Sequence, residues 1–347
     1  MEISLFTSSN KTVLARRSGK IIEHVVLDSR IIFQNPDLLR DRLLLTLNKK
    51  LGVIDPGQIK KMVFGISGIV DSESGSIVRS HILNELSAPK GYGGFSFKDA
   101  FGSLVGRENV LIINDAAAIS LGFRAQYPSI ALPLLSLFID IGVGVSLINE
   151  NGELLTTEIG HHLIEGLGNK PVYSILSQSG IDDLLMLKTN DLYESYTKNL
   201  MIISAYYNEY EKGMLYPSNS NDTKTTVCIW SSKSEFIDPH ILAENQFGLN
   251  FILPQNESEK SIIPVAGLFA YVNYQKPAKT ILKIDYFSGE EKIYSFSTYK
   301  QFLDHWSNVK SFANPDNQYR VHYSDNVVKS IKIRDLDDIM QLEEYKF

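Results

Sequence analysis

An aspartate that directly follows an apolar run is the sharpest chemical feature of the sequence. Residues 110–113 are apolar, Asn114 and Asp115 come next, and three alanines follow, which predicts a strand that ends immediately before a helix. A carboxylate at this place lies at the carboxyl end of a strand, where α/β sheets bind ligands, and the helix N-terminus favours its ionised form. Asp115 is therefore suited to act as a general base. The alternative is that Asp115 only caps the helix, which is a common use of aspartate.

A carboxylate and two imidazoles lie close together in the run Glu158-Ile159-Gly160-His161-His162. Glu158 and His161 can face one pocket and hydrogen-bond neighbouring hydroxyl groups, which is what the binding of a sugar requires. A metal site built from the same side chains is the weaker alternative, because Gly160 disfavours a regular helix and the sequence has no other Cys/His cluster to support it. A pair of structural histidines in a loop is the third interpretation.

A glycine turn follows another apolar run. Residues 64–71 pass from a strand pattern into a turn at Gly68, where a backbone without a side chain can approach a ligand closely. By itself this segment indicates only a turn.

The elements that must position these residues alternate between strands and helices, which predicts an α/β core. The chain opens with a β-meander over 3–6, 12–16 and 21–27, and a helix over 36–51 then stacks Leu39, Leu43, Leu47 and Leu51 along one face. Further strands are predicted at 62–66, 110–113, 134–139, 143–148, 227–230 and 251–253. Further helices are predicted at 96–105, at 116–123, within 171–210 and at 264–272, the last one beginning at Pro264.

The pattern changes after residue 275. A strand pair is predicted at 280–286 and 292–296, with helices at 299–306 and 336–342. This pattern of predicted strands and helices indicates a small appended α+β segment.

Composition restricts the class of protein. The chain has 347 residues, 44% of them apolar and 21% charged, which is enough for two ordinary globular domains. A formal net charge of -6 and the lack of a basic run argue against nucleic acid as a partner. Cys228 is the single cysteine, which excludes internal disulfides, and no apolar run approaches the ~18 residues of a membrane span. We therefore expect a cytoplasmic protein with neither a membrane nor a nucleic acid as its partner.

Taken in order, the three motifs resemble those of the ROK family of sugar kinases and sugar-responsive repressors, which share the actin-like ATPase fold. Residues 65–71 resemble the family's Gly-x-Pro-Gly-x-Val-Asp segment, with Ser67 in place of the proline. Residues 114–116 resemble its Asn-Asp-Ala motif, and 158–161 resemble its Glu-x-Gly-His motif. The resemblance extends from about residue 61 to residue 272.

This resemblance implies a two-lobed actin-like ATPase (ribonuclease H-like) α/β fold. The lobes are expected at 1–125 and 126–275, with the appended α+β segment at 276–347. A homodimer is the expected assembly.

The resemblance also implies a reaction, the ATP-dependent phosphorylation of a hexose or related sugar. Asp115 would deprotonate the sugar hydroxyl that attacks the γ-phosphoryl group, while Gly68, Asn114, Glu158 and His161 would bind the sugar. ATP and Mg²⁺ are the cofactors expected of an active enzyme.

The nucleotide-binding positions that the resemblance implies lie in three turns: Ser8, Ser9 and Thr12; Gly142 and Gly144; Ser231 and Ser232. The first turn lacks the acid and glycines of the family's Asp-x-Gly-Gly-Thr, and the third follows the bulky Trp230. No cysteine of the family's zinc loop appears in 168–175, so no zinc and no other protein-bound metal is expected. These departures motivate an alternative hypothesis, a catalytically inactive kinase-like protein that senses a sugar or regulates a partner, without a helix-turn-helix.

Overall fold

The computed structural model describes residues 1–53, 55–150, 152–157, 163–164, 167, 170–186, 191–215 and 225–274, together with four strands between 280 and 332. The chain divides into two compact units. Unit 1 comprises Met1–Ser129 and Pro254–Gln275, and unit 2 comprises Ile130–Leu253 and Lys276–Phe347. This division places 254–275 in unit 1 and 276–347 in unit 2, whereas the sequence led us to expect one lobe over 126–275 and a separate segment over 276–347.

Unit 1 is built on a five-stranded sheet with five helices from its first chain segment. The strands of this segment are β1 Glu2–Thr7, β2 Lys11–Ser18, β3 Ile21–Asp28, β4 Lys61–Ile66, β5 Ile69–Asp71, β6 Ser76–Arg79 and β7 Val110–Asn114. The helices are α1 Ser29–Phe33, α2 Leu39–Leu51, α3 His81–Ser87, α4 Phe97–Val105 and α5 Asp115–Gln126. The sheet order is β3-β2-β1-β4-β7, with β1, β2 and β3 antiparallel and β1, β4 and β7 parallel. The carboxyl ends of β1, β4 and β7 therefore share one edge.

Unit 2 repeats this pattern. Its strands are β8 Leu134–Ile139, β9 Val143–Ile148, β10 Leu154–Thr157, β11 Leu163–Ile164, β12 Lys170–Pro171, β13 Thr226–Ser231 and β14 Asn250–Ile252. Its helices are α6 Val172–Leu176, α7 Gln178–Met186, α8 Leu192–Leu215 and α9 Pro239–Ala243. The main sheet has the order β10-β9-β8-β13-β14, again a three-stranded antiparallel meander followed by two parallel strands. One face of it is covered by α6, α7 and α8 through a continuous apolar core.

After β14, the described residues contain one more helix and four more strands. They are α10 Glu257–Tyr271, β15 Thr280–Tyr286, β16 Glu291–Phe296, β17 Tyr319–Ser324 and β18 Ile331–Lys332. The antiparallel pair β15–β16 confirms the predicted strand pair, and β17 and β18 extend it into a four-stranded sheet. The helices predicted at 299–306 and 336–342 lie outside the described residues.

The leucine row of α2 covers one face of the unit 1 sheet. All four predicted leucines are buried, and they belong to the same core as Phe64 and Phe101. The proline that was expected to start this helix instead begins a separate 3-10 turn, Pro36–Leu38, and α2 starts at Leu39. The helix ends where Gly52 takes a left-handed conformation, φ +62°, and its N–H bonds back to the last turn.

The opposite face of this sheet carries α5 and α10, which cross at two glycines. A Cβ added to Gly267 would lie 1.7 Å from the Ala118 carbonyl oxygen, and one added to Gly122 would lie 2.0 Å from the Ile263 carbonyl oxygen. Only residues without a side chain allow such a close approach of two helix backbones. Arg17 adds a contact from the sheet, because its guanidinium lies 4.6 Å from the centre of the Phe269 ring.

The start of α10 was wrongly predicted at Pro264. The helix begins seven residues earlier, where the Asn256 side chain caps it by accepting a 2.9 Å hydrogen bond from the Glu259 N–H. Pro264 lies inside the helix and is buried. A proline there lacks one backbone donor and strains the preceding turn, so apolar packing against unit 1 must compensate for its presence.

No helix among the described residues combines the length and the apolar character that crossing a membrane requires.

Candidate functional site

Asp115 lies where the pattern of the sequence predicts it, at the carboxyl edge of the unit 1 sheet. It is the first residue of α5 and follows β7 without a connecting loop. The register pairs Ile66 of β4 with Asn114 of β7, so the residues after these two strands lie side by side. The Asp115 side chain is only 5% exposed.

Both oxygens of the Asp115 carboxylate accept hydrogen bonds. Oδ1 accepts from the Ala116 backbone N–H at 2.8 Å, and Oδ2 accepts from the hydroxyl of Ser67, which follows β4. A buried carboxylate needs such donors, because burial without them would disfavour its ionised form. The two donors hold both carboxylate oxygens at the edge of the sheet.

Asn114, and not Asp115, is the N-cap of α5. Its Oδ1 accepts from the Ala116 N–H at 2.8 Å, and its Nδ2 donates to the Gly68 carbonyl at 3.0 Å. Gly68 has φ +118°, a conformation that disfavours every residue with a side chain. The interpretation of Asp115 as a mere cap is therefore wrong, because the capping residue is its neighbour Asn114. The bond between Asn114 and Gly68 holds the turn after β4 against the start of α5.

The first turn of the chain is closed by its own hydroxyl groups. Ser8 donates to the Lys11 carbonyl through both its N–H, at 2.9 Å, and its Oγ, at 3.1 Å. Thr12 donates to Ser29 Oγ at 3.1 Å, and Ser29 donates to the Ser8 carbonyl at 3.2 Å. Thr7 Oγ1 lies 3.3 Å from Thr12 Oγ1 in the same network.

This hydroxyl network, consisting of Thr7, Ser8, Thr12 and Ser29, is almost completely buried, and Ser9 next to it is 5% exposed. Of the three nucleotide-binding candidates in this turn, Ser8 directs its hydroxyl group to Lys11 within the hairpin, and Thr12 directs its hydroxyl group to Ser29 at the start of α1. Segment 6–12 also contains no carboxylate that would help to hold a metal–phosphate complex. The turn therefore does not fit the binding of Mg²⁺ and phosphate that the resemblance implies.

The remaining nucleotide-binding candidates lie together at the carboxyl edge of the unit 2 sheet. β8 and β13 are parallel and pair Ile139 with Ser231, and the Ser232 N–H donates to the Ile139 carbonyl at 2.8 Å. Gly142 is in the turn directly after β8, and a Cβ added to it would meet no atom within 4 Å. Gly144 follows within β9. The turn at Gly142 therefore has room for a ligand beside it.

Ser231 itself is buried, and its hydroxyl is hydrogen-bonded within unit 2. It is 1% exposed, and its Oγ accepts from the Lys233 N–H at 2.9 Å. Burial raises the pKa of Tyr196, and a hydrogen bond with Ser231 partly offsets that rise. Trp230, which precedes it, is 8% exposed, and its ring centre lies 4.9 Å from that of Phe138 with the two ring planes tilted by 40°, so its bulk is packed against the neighbouring strand.

Two predicted sugar-binding residues, Glu158 and His161, lie outside the described residues. Within the part of the chain that the structure describes, no three His, Cys, Asp or Glu side chains are grouped as metal ligands.

Sequence reasoning missed Ser67 and Ser29 as parts of the site. Ser67 stands in the motif where the family has proline, and this substitution was the available signal. Ser29 is separated from its hairpin partners by more than 15 residues and sits in no motif, so the sequence carries no sign of its contact with them.

Comparisons with known proteins identify the fold of the chain. No family model matches the sequence, and no curated protein matches it. Among solved structures, the ROK hexokinase from Thermus thermophilus is 15% identical, with a TM-score of 0.56 over 78% of this chain and 98% of that one. The chain has the ROK sugar-kinase fold. The two sheets of like order and their helix layers match this fold, which is the two-lobed α/β fold expected from the motifs.

Other proteins with the ROK fold differ in what they do. A ROK glucokinase from Streptomyces griseus, solved with glucose and AMPPNP, is 12% identical with a TM-score of 0.51, over 77% of this chain and 98% of that one. A ROK transcriptional regulator, a homologue of the E. coli MLC protein, is 14% identical with a TM-score of 0.55, over 78% of each chain. The fold therefore occurs in both kinases and regulators.

Proposed function

We propose that the protein phosphorylates a hydroxyl group of a hexose or related sugar with ATP, using Asp115 as the general base. The observation that carries this proposal is the Asp115 carboxylate, buried at the carboxyl edge of a ROK-type sheet and held by a donor on each oxygen. A hexokinase and a glucokinase are among the proteins of this fold.

In the proposed reaction Asp115 accepts the proton of the sugar hydroxyl. The hydroxyl oxygen bonds to the γ-phosphorus, the bond from that phosphorus to the bridging oxygen breaks, and ADP leaves with the electron pair. Asn114, Gly68, Glu158 and His161 are proposed to bind the sugar. Asn114 also caps α5, whose first residue is Asp115.

The nucleotide is proposed to bind at Gly142, Gly144 and Ser232, beside the buried Ser231. The adjacency of the turns after β8 and β13 and the open space at Gly142 support this assignment. Mg²⁺, when bound with ATP, would neutralise phosphate charge. Segment 6–12, which contains Ser8 and Thr12, has no carboxylate that could bind Mg²⁺, so we assign no metal ligand there. We also expect no structural zinc, because segment 168–175 contains no cysteine.

A kinase assay tests the proposal. ADP release is measured over a panel of hexoses, N-acetylhexosamines and related sugars for the wild-type protein and for Asp115→Asn. Loss of the base is expected to reduce kcat by about 10²-fold or more. The control is Ser87→Ala, which removes a buried hydroxyl that bonds to the Leu83 carbonyl at 2.7 Å in α3. Absence of sugar-dependent ADP release from the wild-type protein over the whole panel would refute the kinase.

A sugar-sensing protein without phosphoryl transfer is the second candidate. The closed hydroxyl network favours it, because Ser8 already bonds to Lys11 and Thr12 to Ser29, and phosphate would have to displace those contacts. Calorimetry separates the candidates: a sensor binds sugar but not Mg-ATP, whereas tight Mg-ATP binding argues for the kinase.

We further propose a cytoplasmic homodimer that does not bind nucleic acid. The net charge of -6 supports the last part. Light scattering measures the assembly, and salt-dependent binding to duplex DNA would contradict the absence of nucleic acid binding.

A further inference from the structure

Ser67 occupies a place in the site that none of the sequence motifs assigns to it. It follows β4, its side chain is 5% exposed, and its hydroxyl donates to Oδ2 of Asp115, 48 residues further along the chain. The next residue, Gly68, is tied to the same strand end through the 3.0 Å bond from Asn114 Nδ2. The turn after β4 is thus linked to the start of α5 at two successive residues.

The Ala116 and Ser67 donors differ in whether they move together with Asp115. The Ala116 N–H at 2.8 Å from Oδ1 belongs to the helix that carries Asp115 itself, so it moves with the residue. The Ser67 hydroxyl comes from a neighbouring strand and holds the other oxygen. The terminal torsion of an aspartate is broad, and the carboxylate plane rotates easily unless both oxygens are held.

We propose that Ser67 is a positioning residue that fixes the plane of the Asp115 carboxylate, and so the direction in which it receives the substrate proton. This inference rests on the proposed kinase function. Proline, the residue of the ROK segment at this place, has no hydroxyl and donates nothing to a carboxylate. The donor is therefore a feature of this chain, and its loss should reduce the rate of the proton transfer more than the affinity for the sugar.

Three substitutions at one position test the role. Ser67→Ala removes the donor, Ser67→Pro installs the residue of the family segment, and Ser67→Thr keeps a hydroxyl. In the alanine and proline variants we expect kcat to fall about ten-fold, as for the loss of one hydrogen bond to a charged group, with KM for the sugar changed less than three-fold. The threonine variant should recover most of the rate. Ser87→Ala is the control for the removal of a buried hydroxyl from unit 1.

A second measurement is independent of turnover. In protein labelled with ¹³C at aspartate carboxyl groups, the Asp115 resonance is assigned by its disappearance in Asp115→Asn. We expect it to shift in the alanine variant, to stay near its wild-type position in the threonine variant, and to be unmoved by the control.

The outcomes separate the inference from the function on which it rests. An Asp115 resonance that does not respond to Ser67→Ala overturns the inference whether or not the protein phosphorylates sugars. A shifted resonance with unchanged or increased kcat overturns the catalytic part of it. A shifted resonance in a protein that turns over no sugar refutes the kinase and supports the link between Ser67 and the carboxylate.

Discussion

The crossing of α5 and α10 at Gly267 gives the sharpest test of the packing that positions Asp115. In Gly267→Ala the new Cβ would lie 1.7 Å from the Ala118 carbonyl oxygen and 2.7 Å from the Gly122 nitrogen. Both atoms are backbone, so no rotation of a side chain relieves the overlap. A carbon–oxygen contact needs roughly 3.3 Å, so the helices must separate by about 1.5 Å at this point.

Two effects oppose each other in this variant. Alanine is a better helix former than glycine by about 1 kcal/mol, which stabilises α10. Overpacking of a tight contact costs about 1–3 kcal/mol or more, and here separation also loosens the buried neighbours Ile263, Leu268 and Phe269. Because the overlap involves only backbone atoms, we take the upper end of that range and expect a net loss of about 2 kcal/mol. At ~2–4 °C per kcal/mol this lowers the Tm by about 4–8 °C.

The assay is thermal unfolding followed by circular dichroism, with Gly93→Ala as the matched control. A Cβ at Gly93 meets no atom within 4 Å, so that variant should change the Tm by no more than about 1 °C. Since α5 begins with Asp115, we also expect weaker catalysis in Gly267→Ala at temperatures where it is folded. A Tm that is unchanged or raised in Gly267→Ala would mean that the helices do not cross so closely, and the reasoning would fail.

Other perturbations probe the turn, the hairpin and the thiol. Asn114→Ala removes the cap of α5 and the tie to Gly68, and the free energy of unfolding measured with urea should fall by about 1–2 kcal/mol; an unchanged midpoint contradicts the capping role. Ser29→Ala removes the donor to the Ser8 carbonyl and the acceptor of the Thr12 hydroxyl, at an expected cost of about 1–3 kcal/mol in the same titration, and a neutral effect would show that the hydroxyl network is not stabilising. Burial raises the pKa of Cys228 well above its ordinary range, so iodoacetamide should label the thiol only after unfolding, and rapid native-state labelling seen by mass spectrometry would count against its burial.

Local patterns in the sequence predicted those parts of the fold that local forces determine. The four-residue leucine spacing of α2 specifies a helix and its buried face, and the apolar run before Asn114 specifies a strand. The sequence pattern alone therefore predicts that Asp115 lies at a sheet edge. The beginning of α10 could not be predicted in this way, because proline usually marks a helix start, and only packing in unit 1 explains why Pro264 is tolerated within it.

The contacts that shape the candidate site are long-range, and the sequence alone does not predict them. Ser67 meets Asp115 only because β4 and β7 pair in the register Ile66 to Asn114. Ser29 meets Ser8 and Thr12 only because α1 begins beside the first hairpin. A motif gives the type of a side chain and its element, whereas its hydrogen-bond partners depend on the tertiary pairing of segments.

The return of α10 to unit 1 has a consequence for synthesis on the ribosome. The face of the first sheet that receives Leu268 and Phe269 is complete only after residue 271 has been made, although the other elements of unit 1 end at Gln126. At a synthesis rate of ~5–20 residues per second, this apolar face stays uncovered for on the order of ten seconds before α10 has been made. During that time the nascent chain exposes apolar surface, which promotes aggregation. Fragments that end before α10 should therefore aggregate, and a soluble version of unit 1 requires 1–129 to be joined to 254–275.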